Sequence, residues 1–361
     1  MELKSYDVLS VKQYSFSELD LEDAFFDSLK SDYPEFSDWF LRKGREKAFV
    51  VKNENGIQAF LYMKIEDQNE DYSHFLKKLE PAKRLKVGTF KISQNGYYLG
   101  ERFFRIILEH AIINKVEEIY VTIFPKRDEQ KKLISFMEDF GFNLYTNNKE
   151  TDEQVYVRRM NTILNTEPSL NNYPYIDKNK GRNYYLLSID SVYHTKLIPD
   201  SIIREENPSD FTSDITAANA IQKIYIGNYR INPQPGDIII YYRMKPEGDK
   251  RAARFATTLT GFGIVSESHK NIKSFGNVEK IVSKRTVLTE KEIKQKLARH
   301  RYGVNILKFY DIYSFKKRPI RHFLLENDIL GDKDYPTKNI SEHDFNLILN
   351  EAKFKKDLIF I

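Results

Sequence analysis

Hydrophobic and polar positions along the chain fall into two sets of elements separated by a stretch without periodicity. In the first set, helical spacing marks residues 19–29 and 36–43. Two β-rich runs follow in KAFVVKNENGIQAFLYMKIED, joined at residues 53–56 by the hairpin signal NENG. LKVGTFKI (85–92) predicts a further strand, SQNGYYLGE a loop, and residues 102–114 a long amphipathic helix. EEIYVTIF (117–124) reads as a buried strand, KKLISFMEDF as a helix, and FGFNLYT with QVYVRRM as a closing pair of strands. The expected order is α, α, β, β, β, α, β, α, β, β.

Residues 161–182, NTILNTEPSLNNYPYIDKNKGR, are dense in Asn, Pro, Ser and Gly, which favour turns and open chain. They are read as a linker between a domain at 1–160 and a domain at 183–361. In the second domain NYYLLSIDS predicts a strand, AANAIQKIYIG a short helix, and QPGDIIIYYRMK a turn followed by a strongly apolar strand. RFATTLTGFGIVSES (254–268) predicts a strand whose glycines at 261 and 263 mark a bend. NILKFYDIYSFKKRPI and two helical segments, RHFLLENDIL and SEHDFNLILNEA, complete it. The expected fold class is α+β in two domains: a mixed sheet flanked by helices, then a small, partly closed β-barrel with helices.

Composition narrows the chemistry. With 361 residues, 41% of them hydrophobic, the chain can bury two cores. The absence of cysteine excludes disulfides, a thiol nucleophile, thiolate zinc sites and iron–sulfur clusters. Seven histidines at unrelated spacings give no metal-binding motif, so no metal is expected. Neither a Gly-x-Ser-x-Gly elbow nor a Gly-Lys-Ser/Thr phosphate loop occurs, which argues against a serine hydrolase and a nucleoside triphosphatase. With no long apolar run and no basic, apolar start, the expectation is a cytoplasmic protein without a membrane partner.

The formal net charge of +5 hides an asymmetry. Residues 1–160 carry 25 Lys and Arg against 28 Asp and Glu, a net of −3, which leaves +8 for residues 161–361. Within residues 245–301 there are 14 basic against 6 acidic residues. That surplus suits a polyanion, and Tyr241, Tyr242, Arg251, Arg254 and Arg301 are the nucleic-acid candidates, the rings to stack on bases and the cations to meet phosphates.

In the first domain the window Asn95, Gly96, Tyr97, Tyr98, Leu99, Gly100 is a glycine-bearing turn that opens a helix after a strand. Such turns bind pyrophosphate through unpaired backbone N–H groups. The element order and this turn resemble the GNAT family of N-acetyltransferases over residues 1–160. The family signature there is Arg/Gln-x-x-Gly-x-Gly/Ala. Gly100 is kept, Asn95 stands for Arg or Gln, and Tyr98 stands for the middle glycine. FMEDFGF (136–142) is similar to the family segment that ends in Gly-Phe before the last strands. The resemblance implies acetyl-CoA as co-substrate, with the backbone of Phe90, Lys91 and Ile92 along the pantetheine and the N–H groups of Gly96 to Glu101 facing the pyrophosphate. It implies direct attack of an amine on the thioester. The tyrosine that serves many members as the acid is replaced by Met137, which leaves Glu66 and Thr122 as the catalytic candidates beside the cleft.

PGDIIIYYR (235–243) and TGFGIVSE (260–267) resemble the PUA-like superfamily, in particular its EVE and ASCH members, whose barrel pocket faces RNA or a modified base. This likeness covers residues 183–361. Taken together, the two resemblances imply an acetyl-CoA-dependent N-acyltransferase whose second domain presents an RNA or RNA-linked substrate such as an aminoacyl-tRNA. Two rivals stand beside it. One is a GNAT-fold RNA-binding or regulatory protein without turnover, favoured by Tyr98 and Met137. The other is a protein acetyltransferase of a toxin–antitoxin type with a protein acceptor.

Overall fold

In the computed structural model, which describes residues 11–93, 98–164, 168–201, 216–283 and 285–361, the chain divides between Thr162 and Ile163 into two units. The first is built on seven strands: β1 (Val11–Ser15), β2 (Lys47–Asn53), β3 (Gly56–Glu66), β4 (Arg84–Ile92), β5 (Glu118–Ile123), β6 (Asn143–Asn147) and β7 (Gln154–Arg159). They lie in the order β1-β2-β3-β4-β5-β7-β6. Neighbours are antiparallel except β4 and β5, which run parallel because a crossover helix, Leu99–Ile113, joins them.

Helices α1 (Asp27–Asp32) and α2 (Phe36–Arg42) belong to a cluster in which Phe26, Phe36 and Phe40 pack with Phe60 and Tyr62 of β3. The crossover helix, α3 (Leu99–Ile113), buries Leu99, Phe103, Phe104, Ile106, Ile107, Leu108 and Ala111 together with Glu101, Arg102 and Arg105, so it is covered on more than one face. Phe104 meets Phe136 and Phe140 from α4 (Asp128–Asp139) and its C-cap. Met137, also on α4, is fully buried and acts as core. The pattern reading contains no counterpart of β1, which pairs along β2 from Val11 with Val51 to Ser15 with Lys47.

The second unit holds β8 (Tyr184–Ile189), β9 (Gln222–Gly227), β10 (Ile238–Arg243), β11 (Thr258–Ile272), β12 (Val304–Ser314) and β13 (Lys338–Ile340), in the order β13-β8-β10-β11-β12-β9. The end strands β13 and β9 each pair on one side only, so no closed barrel forms among the described residues. Among the described residues, seven α-helices accompany it: α5 (Ser191–Leu197), α6 (Thr216–Asn219), α7 (Ala253–Ala256), α8 (Phe275–Val282), α9 (Glu290–Arg299), α10 (Arg321–Glu326) and α11 (Glu342–Glu351). AANAIQKIYIG, read as a helix, divides into α6 and β9. Its second half alternates, and Ile224 and Ile226 point to one core.

The expected linker is packed over residues 172–176 and exposed at 161–162 and 178–181. Asn172, Tyr173, Tyr175 and Ile176 are buried, the Tyr173 hydroxyl donates to the Asp311 carbonyl at 2.9 Å, and Ile176 bridges Phe360. Turn-forming residues can fold back onto a core as readily as run free, and composition does not separate the two cases. Among the described residues no helix is long and apolar enough to cross a membrane.

Candidate functional site

β4 pairs with β5 only from Arg84 with Glu118 to Val87 with Val121. Beyond that point Thr89, Phe90, Lys91 and Ile92 stay bonded in register to β3, while no strand pairs with them on the other side among the described residues. The parting coincides with a bulge. Tyr62 faces Thr89 and Met63 faces Val87, so Gly88 is the extra residue. A Cβ at Gly88 would stand 2.8 Å from Cδ1 of Tyr62. That ring is held edge-on by Phe16 and Trp39, and its hydroxyl donates to Glu46. A wedge results, with a strand edge carrying spare N–H and C=O groups on one side and Thr122 and Ile123 at the end of β5 on the other.

The loop after β4 leads to α3. Asn95, Gly96 and Tyr97 lie outside the described residues. Tyr98 is the N-cap residue of α3 at φ 51° and ψ 25°, the left-handed region that glycine enters without strain. The backbone thus keeps a glycine-like conformation where the signature of the resembled family has glycine. Leu99 and Glu101 are buried. A Cβ at Gly100 would meet only Phe136, at 3.5 Å, and Ile92 near 4 Å, so the protein's own packing does not demand glycine there. The Lys91 side chain turns away, its ammonium donating to the Phe25 carbonyl and to Ser28 Oγ. Phe90 stacks near Phe103 of α3, with ring centroids 6.1 Å apart.

Glu66 does not face the wedge. It ends β3 opposite Arg84, at the far end of β4 from Ile92, and is 3% exposed. Its Oε2 accepts from the hydroxyls of Tyr120 at 2.6 Å and Tyr72 at 3.1 Å, and its Oε1 from Lys64 Nζ at 3.4 Å. Burial, with the Glu66 charge adding to it, pushes Tyr72 up to about 12 and raises Tyr120 further. The carboxylate is a buried acceptor that joins two strands and a loop, whereas the sequence reading has it as a catalytic candidate beside the cleft. Thr122 is half-buried, follows the last residue of β5 that pairs with β4, and shares a face with Tyr120 by strand alternation. Sequence reasoning missed Gly88, although a lone glycine inside LKVGTFKI is the usual mark of a bulge.

In the second unit Tyr241 and Tyr242 cannot stack on bases. All six residues of β10 are buried, because the strand is central and covered on both faces. The Tyr241 hydroxyl donates to Asp311 Oδ1 at 3.0 Å, and that of Tyr242 to Thr257 Oγ1 at 3.1 Å. The three arginines are exposed. Arg251 pairs with Asp249 at 2.6 Å. Arg254 adjoins Phe255, which is 47% exposed, and the Arg301 guanidinium lies 6.0 Å from the ring of Tyr302, which is 71% exposed. Arg254 precedes the first residue of β11, whereas Arg301 precedes β12 beside the last, so these two sit at opposite ends of that strand.

His194 on α5 is fully buried, with Nε2 2.7 Å from Thr260 Oγ1 and Nδ1 without a partner among the described residues. Burial, then the charges of Arg243 and Arg318, hold its pKa well below the ordinary 6.5. The unfolded chain therefore binds a proton that the folded unit refuses. Stability of the second unit is full above about pH 6.5 and falls by about 1.4 kcal/mol per pH unit below it, until the depressed folded value is reached. Denaturant titrations followed by far-ultraviolet circular dichroism between pH 7.5 and 5 should show this slope, and His194→Gln should flatten it.

No family model matches the chain, and no curated protein matches it. Among solved structures it is similar to an ASCH protein of Zymomonas mobilis, at 9% identity over 47% of this chain and 96% of that one, with a TM-score of 0.31. It is similar to the N-acetyltransferase PseH of Campylobacter jejuni, at 16% identity over 42% of this chain and 99% of that one, with a TM-score of 0.27. A GNAT family acetyltransferase of Elizabethkingia anophelis with acetyl-CoA bound gives 10% identity over 42% of this chain and 99% of that one, with a TM-score of 0.28. Neighbours of both kinds thus each span a little under half of the chain.

Proposed function

We propose that the first unit is an acetyl-CoA-dependent N-acyltransferase and that the second presents an RNA or RNA-linked amine to it. The wedge between β4 and β5, opened at Gly88 and followed by α3, carries the reading. The free edge of Phe90, Lys91 and Ile92 suits the two amides of a pantetheine arm, which would add to it as an extra strand does. The first N–H groups of α3, at Leu99, Gly100 and Glu101, suit the pyrophosphate. The acyl end would then reach the vertex where Val87 and Val121 close the wedge, and the Thr122 hydroxyl would donate to the thioester carbonyl. The acceptor amine gives up a proton to solvent, its nitrogen bonds to the acetyl carbon, and the carbon–sulfur bond breaks with its electron pair on the CoA sulfur.

RNA is supported by the +8 of residues 161–361 and by the exposed pairs Arg254–Phe255 and Arg301–Tyr302. One observation favours the regulator without turnover: Glu66 is sealed inside its hydroxyl cluster and Met137 is core, so neither offers a proton at the vertex.

Calorimetry with acetyl-CoA tests the reading. The native protein should bind, and Gly100→Ala should lose at least tenfold in affinity while melting no lower, since alanine outranks glycine in a helix by up to about 1 kcal/mol. No binding at millimolar acetyl-CoA sinks the acyltransferase. Binding without acetyl transfer to total tRNA or to a protein lysate selects the regulator. Arg254→Glu and Arg301→Glu, taken singly, should show which end of β11 meets RNA: the variant at that end loses several-fold in tRNA affinity and reduces the salt slope by about 1. Unchanged affinity in both variants rejects both surfaces.

A further inference from the structure

Lys64 and Lys86 face each other directly across β3 and β4 in the middle of the first sheet. Like charges in that register repel and weaken strand pairing. Lys64 is partly compensated, with Glu66 at 3.4 Å and Glu70 at 3.5 Å, and remains 43% exposed. Lys86 has no acidic partner among the described residues. Its Nζ lies 5.6 Å from the ring centroid of Tyr120, its register partner on β5. It also sits one residue before Val87, the last residue of β4 that pairs with β5, on the face shared by Tyr120 and Thr122.

An unneutralised lysine opposite another lysine costs the empty sheet stability, and an anionic ligand removes that cost. We infer that the amine acceptor carries an oxyanion, carboxylate or phosphate, close to its amino group, and that Lys86 binds it with Lys64 beside it. This rests on the acyltransferase reading. It assigns the acceptor's chemistry: the oxyanion anchors on β4 while the amine turns toward the thioester. Neutral amines lack the anchor.

The test uses the full chain loaded with acetyl-CoA, titrated calorimetrically with two matched pairs: phosphoethanolamine against ethanolamine, and β-alanine against propylamine. At least one anionic member should bind tenfold or more tightly than its neutral partner, and the pair that responds identifies phosphate or carboxylate. Lys86→Gln, titrated at saturating acetyl-CoA, should erase the preference. Its melting temperature should hold or rise, because one of two facing like charges is gone. Absence of binding by both anionic probes to the loaded protein, or a preference that survives Lys86→Gln, overturns the inference and leaves the acyltransferase standing. Failure of acetyl-CoA itself to bind overturns the reading on which the inference rests.

Discussion

Glu66→Ala is expected to destabilise the first unit by about 3–5 kcal/mol, since it strands two buried tyrosine hydroxyls and opens a cavity beneath Lys64. Tyr120 donates at 2.6 Å and Tyr72 at 3.1 Å to the same carboxylate oxygen, and both rings are buried. Trp39, the one tryptophan of the chain, packs edge-on against Phe16 and Tyr62, so its fluorescence reports unfolding of this unit. Glu66→Gln keeps an oxygen that accepts both hydroxyls and should cost only about 1 kcal/mol. A catalytic base would behave in the opposite way: Glu66→Gln would fold normally and lose transfer, and Glu66→Ala would be as stable as the native chain.

The second unit should suffer comparably from one added methyl. A Cβ at Gly261 would lie 2.2 Å from the carbonyl oxygen of Tyr313 and 3.1 Å from Cα of Ser314, backbone atoms of β12 that no rotamer change can move. Gly261→Ala should force β11 from β12 and cost at least about 3 kcal/mol. Far-ultraviolet circular dichroism should lose an early fraction of its signal on heating while the Trp39 transition stays in place. Gly276→Ala on α8 is the control: no atom lies within 4 Å of its added Cβ, and the helix should hold or gain slightly. Equal melting of the two variants would contradict the close approach of β11 to β12.

The N-terminal α/β order from β2 onward was legible because most elements there have a clean period, whereas β1 was missed and the helix expected at 19–29 forms only at Asp27–Asp32. LKVGTFKI and EEIYVTIF read as strands, and the apolar periodicity of 102–114 reads as a helix, without tertiary help. What the pattern cannot carry is which side of a strand loses its partner. Whether β4 and β5 part after Val87 depends on one extra residue, Gly88, wedged against Tyr62. Glu66 misled for a related reason. A carboxylate at a strand end looks available, and its burial comes from Tyr72 in the loop that follows and Tyr120, 54 positions away. Tyr241 and Tyr242 failed because a run of five apolar or aromatic residues followed by arginine marks a central strand, and neighbouring cations do not change that. The burial of 172–176 was invisible because turn-rich composition describes local bending and not where the chain lands.

Amide hydrogen exchange of the native chain with and without saturating acetyl-CoA tests the central claim most directly, since it reads the strand edge itself. The wedge predicts slowed exchange at the outward-facing amides within residues 88–92 and in the first turn of α3, with unchanged exchange throughout β8–β13. Binding that leaves residues 88–92 exchanging as before, or that protects another part of the chain instead, would contradict it.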